Sequence, residues 1–92
     1  MVDRIIRLKD GTEYPCEMCG MYEDRLWIEA VINMAEAWTV FTDKARIETI
    51  TDTYAGEDGK QREIVWEGYT ELFLISDRDG ITQIGLRKDD GE

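Results

Sequence analysis

Apolar residues recur at the spacing of an α-helix in one stretch of the chain, residues 33–41. The apolar stripe at positions i, i+3, i+4 and i+7 consists of Met34, Ala37, Trp38 and Phe41. Asn33 stands where its side-chain oxygen can accept from an N–H group of the first helical turn. Glu36 occupies the capping-box position three residues later and puts negative charge at the positive end of the helix dipole. These signals predict a helix that begins after Asn33.

The predicted helix is only about ten residues long, and a helix of that length is marginal in water on its own. It must therefore be stabilised by burying its apolar stripe against another element. We expect Trp38 and Phe41 to be core anchors packed on a sheet, because large aromatic side chains dominate core burial.

The rest of the chain alternates apolar and polar residues at the period of a β-strand, in runs separated by turn residues. The predicted strands cover residues 4–9, 12–19, 25–32, 46–54, 63–76 and 81–86. Asp10-Gly11 and residues 77–80 predict hairpin turns, and Gly68 bends or divides the fifth strand. Pro15 indicates an edge strand, because proline cannot donate to the ladder.

The helix is not interleaved with strands as in parallel βαβ units, so the sheet is expected to be mostly antiparallel. The fold class predicted is α+β: a curled sheet or small open barrel of six to seven strands with one short helix. At 92 residues, the chain is predicted to be a single domain spanning residues 1–92.

Acidic residues outnumber basic ones by 21 to 11, which gives a net charge of −10. Such a chain is repelled by nucleic acid and by anionic membranes, and it is attracted to basic proteins. The alternative is that the charge only keeps a small domain soluble. No apolar run approaches the ~20 residues needed to cross a bilayer, and the N-terminus lacks a signal-peptide pattern. We therefore expect a cytoplasmic protein.

The acidic residues are concentrated between positions 13 and 36, where only Arg25 opposes them. They are Glu13, Glu17, Glu23, Asp24, Glu29 and Glu36. If they gather on one face, they present carboxylates where a nucleic-acid-binding protein expects phosphates. This acidic surface is the predicted binding site, and an ordinary solvated face is the alternative.

Cys16 and Cys19 form a C-x-x-C pair, but a structural zinc site needs four ligands and the chain has no other cysteine and no histidine. Acidic neighbours would raise the thiol pKa, whereas a redox role needs it lowered. Positions three apart on a regular strand also point to opposite faces. Two reduced, partly buried cysteines are expected, and a site shared across a dimer is the alternative.

The sequence lacks most of the residues and motifs that commonly support catalysis. The chain has no histidine for acid–base work near neutral pH, and Ser76 is its only serine. It has no glycine-rich phosphate loop. We therefore expect a protein that is not an enzyme, with no catalytic residues, no cofactor and no metal.

Several short motifs lie along the chain: I-I-R-L-K-D-G-T-E-Y at 5–14, C-G at 19–20, L-W-I at 26–28, E-A at 36–37, V-F-T-D at 40–43, I-T at 50–51, E-G-Y-T-E-L at 67–72 and L-R-K at 86–88. With these motifs the chain resembles small proteins encoded by phages and prophages of Gram-positive gut bacteria. The resemblance implies a phage accessory protein, either a virion tail or baseplate component or a host-directed inhibitor of the anti-CRISPR kind.

Three functional hypotheses follow. The first is a phage-encoded inhibitor in the host cytoplasm that uses its acidic surface to occlude the basic nucleic-acid-binding site of a defence protein, such as a CRISPR effector. The second is a virion component whose strand edges near Pro15 or residues 46–54 add to neighbouring tail proteins. The third is a redox or metal protein that uses Cys16 and Cys19. The first two leave homo-oligomerisation open, and none involves direct contact with nucleic acid or membrane.

Overall fold

Seven antiparallel strands form one open sheet, joined by two short helices, in a computed structural model that describes residues 4–89. The elements are β1 Ile5–Arg7, β2 Glu13–Tyr22, β3 Arg25–Ala30, α1 Met34–Phe41, α2 Lys44–Ile47, β4 Thr49–Ala55, β5 Gln61–Glu67, β6 Glu71–Arg78 and β7 Ile81–Arg87. The predicted α+β class and antiparallel sheet are confirmed. The short α2 was not predicted, because its last two residues, Arg46 and Ile47, were assigned to the start of a strand.

The strands follow the order β5-β4-β1-β2-β3-β7-β6, and the sheet does not close. The long strand β2 joins its two halves: residues up to Pro15 pair with β1, and residues from Cys16 pair with β3. A β-bulge between Cys16 and Met18 interrupts the second ladder. Bulges bend a strand and increase its twist, so β2 is the line along which the sheet curls.

Strands β5 and β6, at the two ends of this order, are the edges of the sheet. The predicted edges near Pro15 and residues 46–54 are therefore wrong, because β2 and β4 are both flanked by other strands. The Cys16 N–H donates towards β1, to the Arg4 carbonyl, so the Pro15 nitrogen faces the β3 side. Pairing with β3 starts only at Cys16, so the missing proline donor breaks no ladder bond.

Helix α1 begins as predicted. Asn33 is its N-cap, and the Glu36 N–H donates to Asn33 Oδ1 at 2.8 Å. The Glu36 carboxylate accepts from the Tyr14 hydroxyl at 3.3 Å. The next helix, α2, has its own N-cap, because Asp43 Oδ1 accepts from the Ala45 N–H at 3.1 Å. Local capping chemistry thus sets where both helices start.

The face that α1 buries differs from the predicted one. Ala37, Val40 and Phe41 are buried, whereas Trp38 is 56 % exposed. Trp38 is therefore not a core anchor, while Phe41, fully buried, is one. Successive helical residues are rotated by about 100°, so a core centred between Ala37, Val40 and Phe41 leaves Trp38 on the helix flank.

The core lies on one side of the sheet, where the buried strand residues meet the two helices. Its fully buried aliphatic side chains are Ile6, Leu26, Ile28, Ile47, Ile50, Ile84 and Leu86, and Phe41 of α1 packs with them. The only ion pair of residues 4–89 with a fully buried partner joins Arg4 to Asp52 of β4, whose side chain is 0 % exposed. In the same part of the chain, no helix is long and apolar enough to span a membrane.

Candidate functional site: the hairpin face

The six acidic residues predicted as a binding surface do not form one cluster. Glu13 begins β2 and Glu23 follows its other end, which separates them by about 30 Å at the rise of a β-strand. Glu36 lies on α1 and contacts Tyr14. The other four, Glu17, Glu23, Asp24 and Glu29, lie around the hairpin formed by β2 and β3.

The β2–β3 hairpin turns its other side away from the core. Directly paired strand residues share a face of the sheet, and three such pairs point outwards here: Met18 with Glu29, Gly20 with Trp27 and Tyr22 with Arg25. These six residues are called the hairpin face below. Leu26, Ile28 and Ala30, which alternate with the outward residues of β3, are fully buried on the opposite side.

Four of the predicted acidic residues border this hairpin face. Glu23 and Asp24 make its tip, with positive φ angles of 53° and 64° that fit a two-residue hairpin turn. Glu17 is the extra residue of the bulge and is exposed beside Met18. Glu29 belongs to the face itself and accepts from Gln83 Nε2 at 2.8 Å. Carboxylates therefore stand at both ends of the face.

These carboxylates form no ion pair with another side chain of residues 4–89. Residues 4–89 hold six ion pairs, and their acidic partners are Asp52, Glu48, Asp89, Asp10, Asp58 and Glu71. None of the predicted six is among them. Arg25, the basic residue closest in sequence, instead lies over the Phe73 ring, 4.6 Å from its centroid. No direct ion pair within residues 4–89 therefore compensates these carboxylates, and Glu23 and Asp24 share only a recess with Arg25, Arg87 and Lys88.

An apolar groove of about 390 Å³ lies between the acidic ends. It is lined by Met18, Gly20, Tyr22 and Trp27 of the hairpin face. Met21 also contributes to the lining, although its strand partner is the buried Leu26. Both methionines are more than a third exposed, and Tyr22 is 66 % exposed. Exposed aromatic and methionine side chains grouped in this way are typical of protein-binding surfaces rather than of solvated strands.

Trp27 is held in place within the groove. Its Nε1–H donates to the Tyr22 carbonyl at 3.3 Å. On the other side, the Phe73 ring meets it edge to face, with centroids 5.2 Å apart and planes at 84°. A groove wall fixed by a hydrogen bond and an aromatic contact loses little conformational entropy when a partner binds.

A second recess, of about 670 Å³, lies beyond the hairpin tip and contains charges of both signs. Its lining is Glu23, Asp24, Arg25, Tyr69, Glu71, Arg87 and Lys88. Arg87 and Glu71 form an ion pair at 2.8 Å across it. Because side chains of both signs line it, the recess has neither the uniform charge nor the apolar centre of the groove.

The bulge in β2 also changes the prediction for the cysteines. Because it adds one residue, Cys16 and Cys19 both face the core, at 1 % and 4 % exposure, and Met18 moves to the outer face. The predicted opposite orientation is wrong. Burial raises the pKa of Cys16 to about 12 and raises the pKa of Cys19 as well. Thiols this deep cannot reach a second chain, and residues 4–89 contain no cluster of metal-ligating side chains.

We expect both thiols to resist alkylation in the folded protein. At pH 8, iodoacetamide is predicted to label the native chain at least about a hundredfold more slowly than the chain in guanidinium chloride, because burial keeps the thiols protonated and inaccessible. Mass spectrometry of Cys16→Ser and Cys19→Ser variants would assign each rate. Rapid labelling of either native thiol would revive the redox hypothesis.

The sequence alone did not reveal the groove. Met18, Gly20 and Tyr22 alternate along β2, but the bulge decides which side they occupy. The exposed alternation of Met18 and Tyr22 around a glycine was the available signal. Comparison with known proteins adds nothing to it, because no family model, no curated protein and no solved structure matches this chain.

Proposed function

We propose that the chain is a non-enzymatic binding protein that presents its hairpin face to a basic protein. The supporting observation is the apolar groove flanked at both ends by carboxylates without ion-pair partners in residues 4–89. Protein interfaces commonly combine a desolvated centre rich in aromatic residues and methionine with a charged rim. In this arrangement the carboxylates steer the partner and fix its orientation, and the groove supplies most of the affinity.

The partner class that fits best is a protein that binds nucleic acid. Such a protein carries clustered Lys and Arg, which would pair with Glu17, Glu23 and Asp24 in place of phosphates. With a net charge of −10, the chain itself would be repelled by nucleic acid. Together with the resemblance to phage proteins, this favours an inhibitor in the host cytoplasm that occludes a basic site of a defence protein such as a CRISPR effector.

The second candidate is a virion component, and the two edge strands of the open sheet favour it. Unpaired edges can add a strand from a neighbouring protein. The edges are β5 and β6, so these strands replace Pro15 and residues 46–54 in that hypothesis. Co-purification with tail proteins of phage particles would support this role.

A charge-reversal pair tests the inhibitor proposal. The variant Glu17→Lys/Glu23→Lys/Asp24→Lys is expected to bind its target about 30- to 100-fold more weakly, because three attractive rim charges become repulsive. The control is Glu57→Lys/Glu63→Lys/Glu67→Lys, which reverses three exposed acids elsewhere and gives the same net charge. The affinity of this control variant for the target is expected to fall by less than about fivefold, because the altered charges lie outside the interface.

The probes are the nucleic-acid-binding proteins that heparin retains from a Gram-positive gut bacterium, and the purified CRISPR effector from the same strain. Binding is measured by biolayer interferometry at 50 and 500 mM salt, with DNA cleavage as the functional readout for the effector. If both triple variants lost the same affinity, the effect would be one of net charge only. This result would contradict the proposal that the hairpin face is the binding site. Binding that does not weaken with salt would contradict the electrostatic role.

A further inference from the structure

Trp27 lies between two glycines in one row of the sheet. Gly20 of β2 is its direct partner on one side, and Gly85 of β7 is its direct partner on the other. Residues paired in this way point to the same face, so side chains at the two glycine positions would have flanked the indole. Neither strand partner of Trp27 therefore places a side chain of its own beside the indole, and another group can approach the backbone closely at each glycine.

The chain fills one of these two positions itself. The Phe73 ring sits so close over Gly85 that a Cβ there would lie 2.7 Å from Phe73 Cζ. The same ring makes the edge-to-face contact with Trp27. The Arg25 guanidinium lies over its face. On one side of Trp27, an aromatic ring therefore lies over a glycine and contacts both the indole and a basic group.

The position over Gly20 has no such cover. A Cβ built on Gly20 meets no heavy atom within 4 Å, beyond its chain neighbours. Met18 and Tyr22 flank it along β2, four residues apart, so their Cα atoms are separated by about 13 Å at the rise of a strand. The open space is part of the apolar groove. Gly20 therefore forms the floor of a slot whose walls are Met18, Tyr22 and Trp27.

The charges around the slot restrict what can enter it. Glu23 and Asp24 lie beyond Tyr22 at one end, where the guanidinium of Arg25 lies over the Phe73 ring. Glu17 and Glu29 lie beside Met18 at the other end. A second copy of this chain would bring its own negative charge to these positions, whereas a basic segment would be attracted at both ends. In an extended segment, side chains two residues apart share a face and are about 6.7 Å apart along the chain.

We infer that the slot over Gly20 binds an aromatic side chain from an extended partner segment that carries Lys or Arg two residues before and two residues after it. This inference rests on the proposed function, and it names the chemistry that the hairpin face recognises. The aromatic ring packs on the free side of Trp27 as Phe73 packs on the other side. The flanking basic groups pair with the carboxylates at the two ends of the slot.

Two acetylated and amidated peptides test the inference, Lys-Ser-Phe-Ser-Lys and Lys-Ser-Gly-Ser-Lys. NMR titrations of the ¹⁵N-labelled protein follow the indole N–H of Trp27 and the backbone amides of the hairpin. The phenylalanine peptide is expected to bind about tenfold or more tightly than the glycine peptide, because burying an aromatic side chain contributes that much. It should also shift the Trp27 indole signal, which the glycine peptide should leave unchanged.

The variant Gly20→Ile fills the slot without a new backbone requirement, since Gly20 is not among the residues with positive φ. Isoleucine suits a strand, and the fold is checked by its thermal transition and its amide spectrum. The variant is expected to abolish the preference for the phenylalanine peptide while the weaker binding of the glycine peptide persists. A preference that survives in Gly20→Ile would overturn the slot.

Failure of the slot is distinguishable from failure of the proposed function. Equal binding of the two peptides to the natural chain, or no binding of either, would overturn the slot, whereas the charge-reversal variants report on protein binding separately. Loss of binding in the hairpin triple variant with no peptide preference would leave an acidic interface without an aromatic anchor. A peptide preference with unchanged protein binding in that variant would retain the slot and remove the proposed role of the carboxylates.

Discussion

Replacing Arg4 by methionine is expected to lower the free energy of unfolding by about 3–5 kcal/mol, because it leaves the Asp52 carboxylate buried without its counter-charge. Asp52 is 0 % exposed, and Arg4 holds both of its oxygens, with Nε at 3.0 Å from Oδ1 and Nη2 at 2.6 Å from Oδ2. Arg4 also donates to the Cys19 carbonyl and lies over the Tyr54 ring. Methionine retains most of the aliphatic stem. The charge and its hydrogen bonds are therefore the main loss.

Urea unfolding at pH 7, followed by circular dichroism, measures the effect, and Lys9→Met is the matched control. Lys9 pairs with Glu48 at 2.7 Å, but both side chains are about half exposed. Exposed pairs of this kind contribute about 0–1 kcal/mol, so Lys9→Met should be nearly neutral. If the two variants unfolded at the same urea concentration, the Arg4–Asp52 pair would not stabilise the fold in the way its burial implies.

The double variant Arg4→Met/Asp52→Leu separates the charge from the packing. Apolar replacements of a whole buried ion pair are often neutral or stabilising, because the desolvation of both charges disappears with them. We expect the double variant to recover most of the stability that Arg4→Met loses. A double variant as unstable as Arg4→Met alone would show that the hydrogen bond to the Cys19 carbonyl, or the contact with Tyr54, is the larger contribution.

The parts of the fold that depend on neighbouring residues were predictable from the sequence. Asn33 caps α1 because an N-cap acts within one helical turn. The turn at Asp79 and Gly80, both with positive φ, is also set by the residues themselves. The antiparallel sheet was predictable because the order of helix and strands excludes parallel crossovers. The first two inferences use information that lies within a few residues, and the third uses only the order of the elements along the chain.

The predictions that were wrong concern features that depend on partners far along the chain. The bulge beside Cys16 is defined by pairing with Ala30, so no pattern within β2 could place it. Because side chains alternate with a period of two, that one extra residue moved Met18 to the outer face. The groove likewise needs the pairing of Gly20 with Trp27. Its location could not be predicted from the periodicity of either strand.

The acidic surface was predicted only in part, because its arrangement also depends on contacts between distant residues. Composition and spacing identified all six residues, but only the fold shows which of them share a surface. Their lack of ion-pair partners in residues 4–89 was equally invisible, because the pairs that neutralise other acids join distant positions such as Lys9 and Glu48. A sequence can show how much negative charge a segment carries. Which part of it stays available depends on tertiary contacts.

The two aromatic residues of α1 provide the last prediction. Phe41→Ala is expected to lower the free energy of unfolding by about 3–5 kcal/mol, because it leaves a cavity beside the buried aliphatic side chains of the core. Trp38→Ala is expected to change it by less than about 1 kcal/mol, since much of the indole is already in contact with water. Both substitutions have the same backbone consequence, so the difference between them measures burial.

Urea unfolding of the two variants distinguishes this structure from the arrangement that the helical periodicity suggested. That arrangement buries Met34 and Trp38 with Phe41, and it predicts large and similar losses for both substitutions. The structure places Trp38 at 56 % exposure and Phe41 at 0 %, so only one loss should be large. A large loss in Trp38→Ala would mean that α1 is rotated about its axis. Such a rotation would bury the indole and expose Val40.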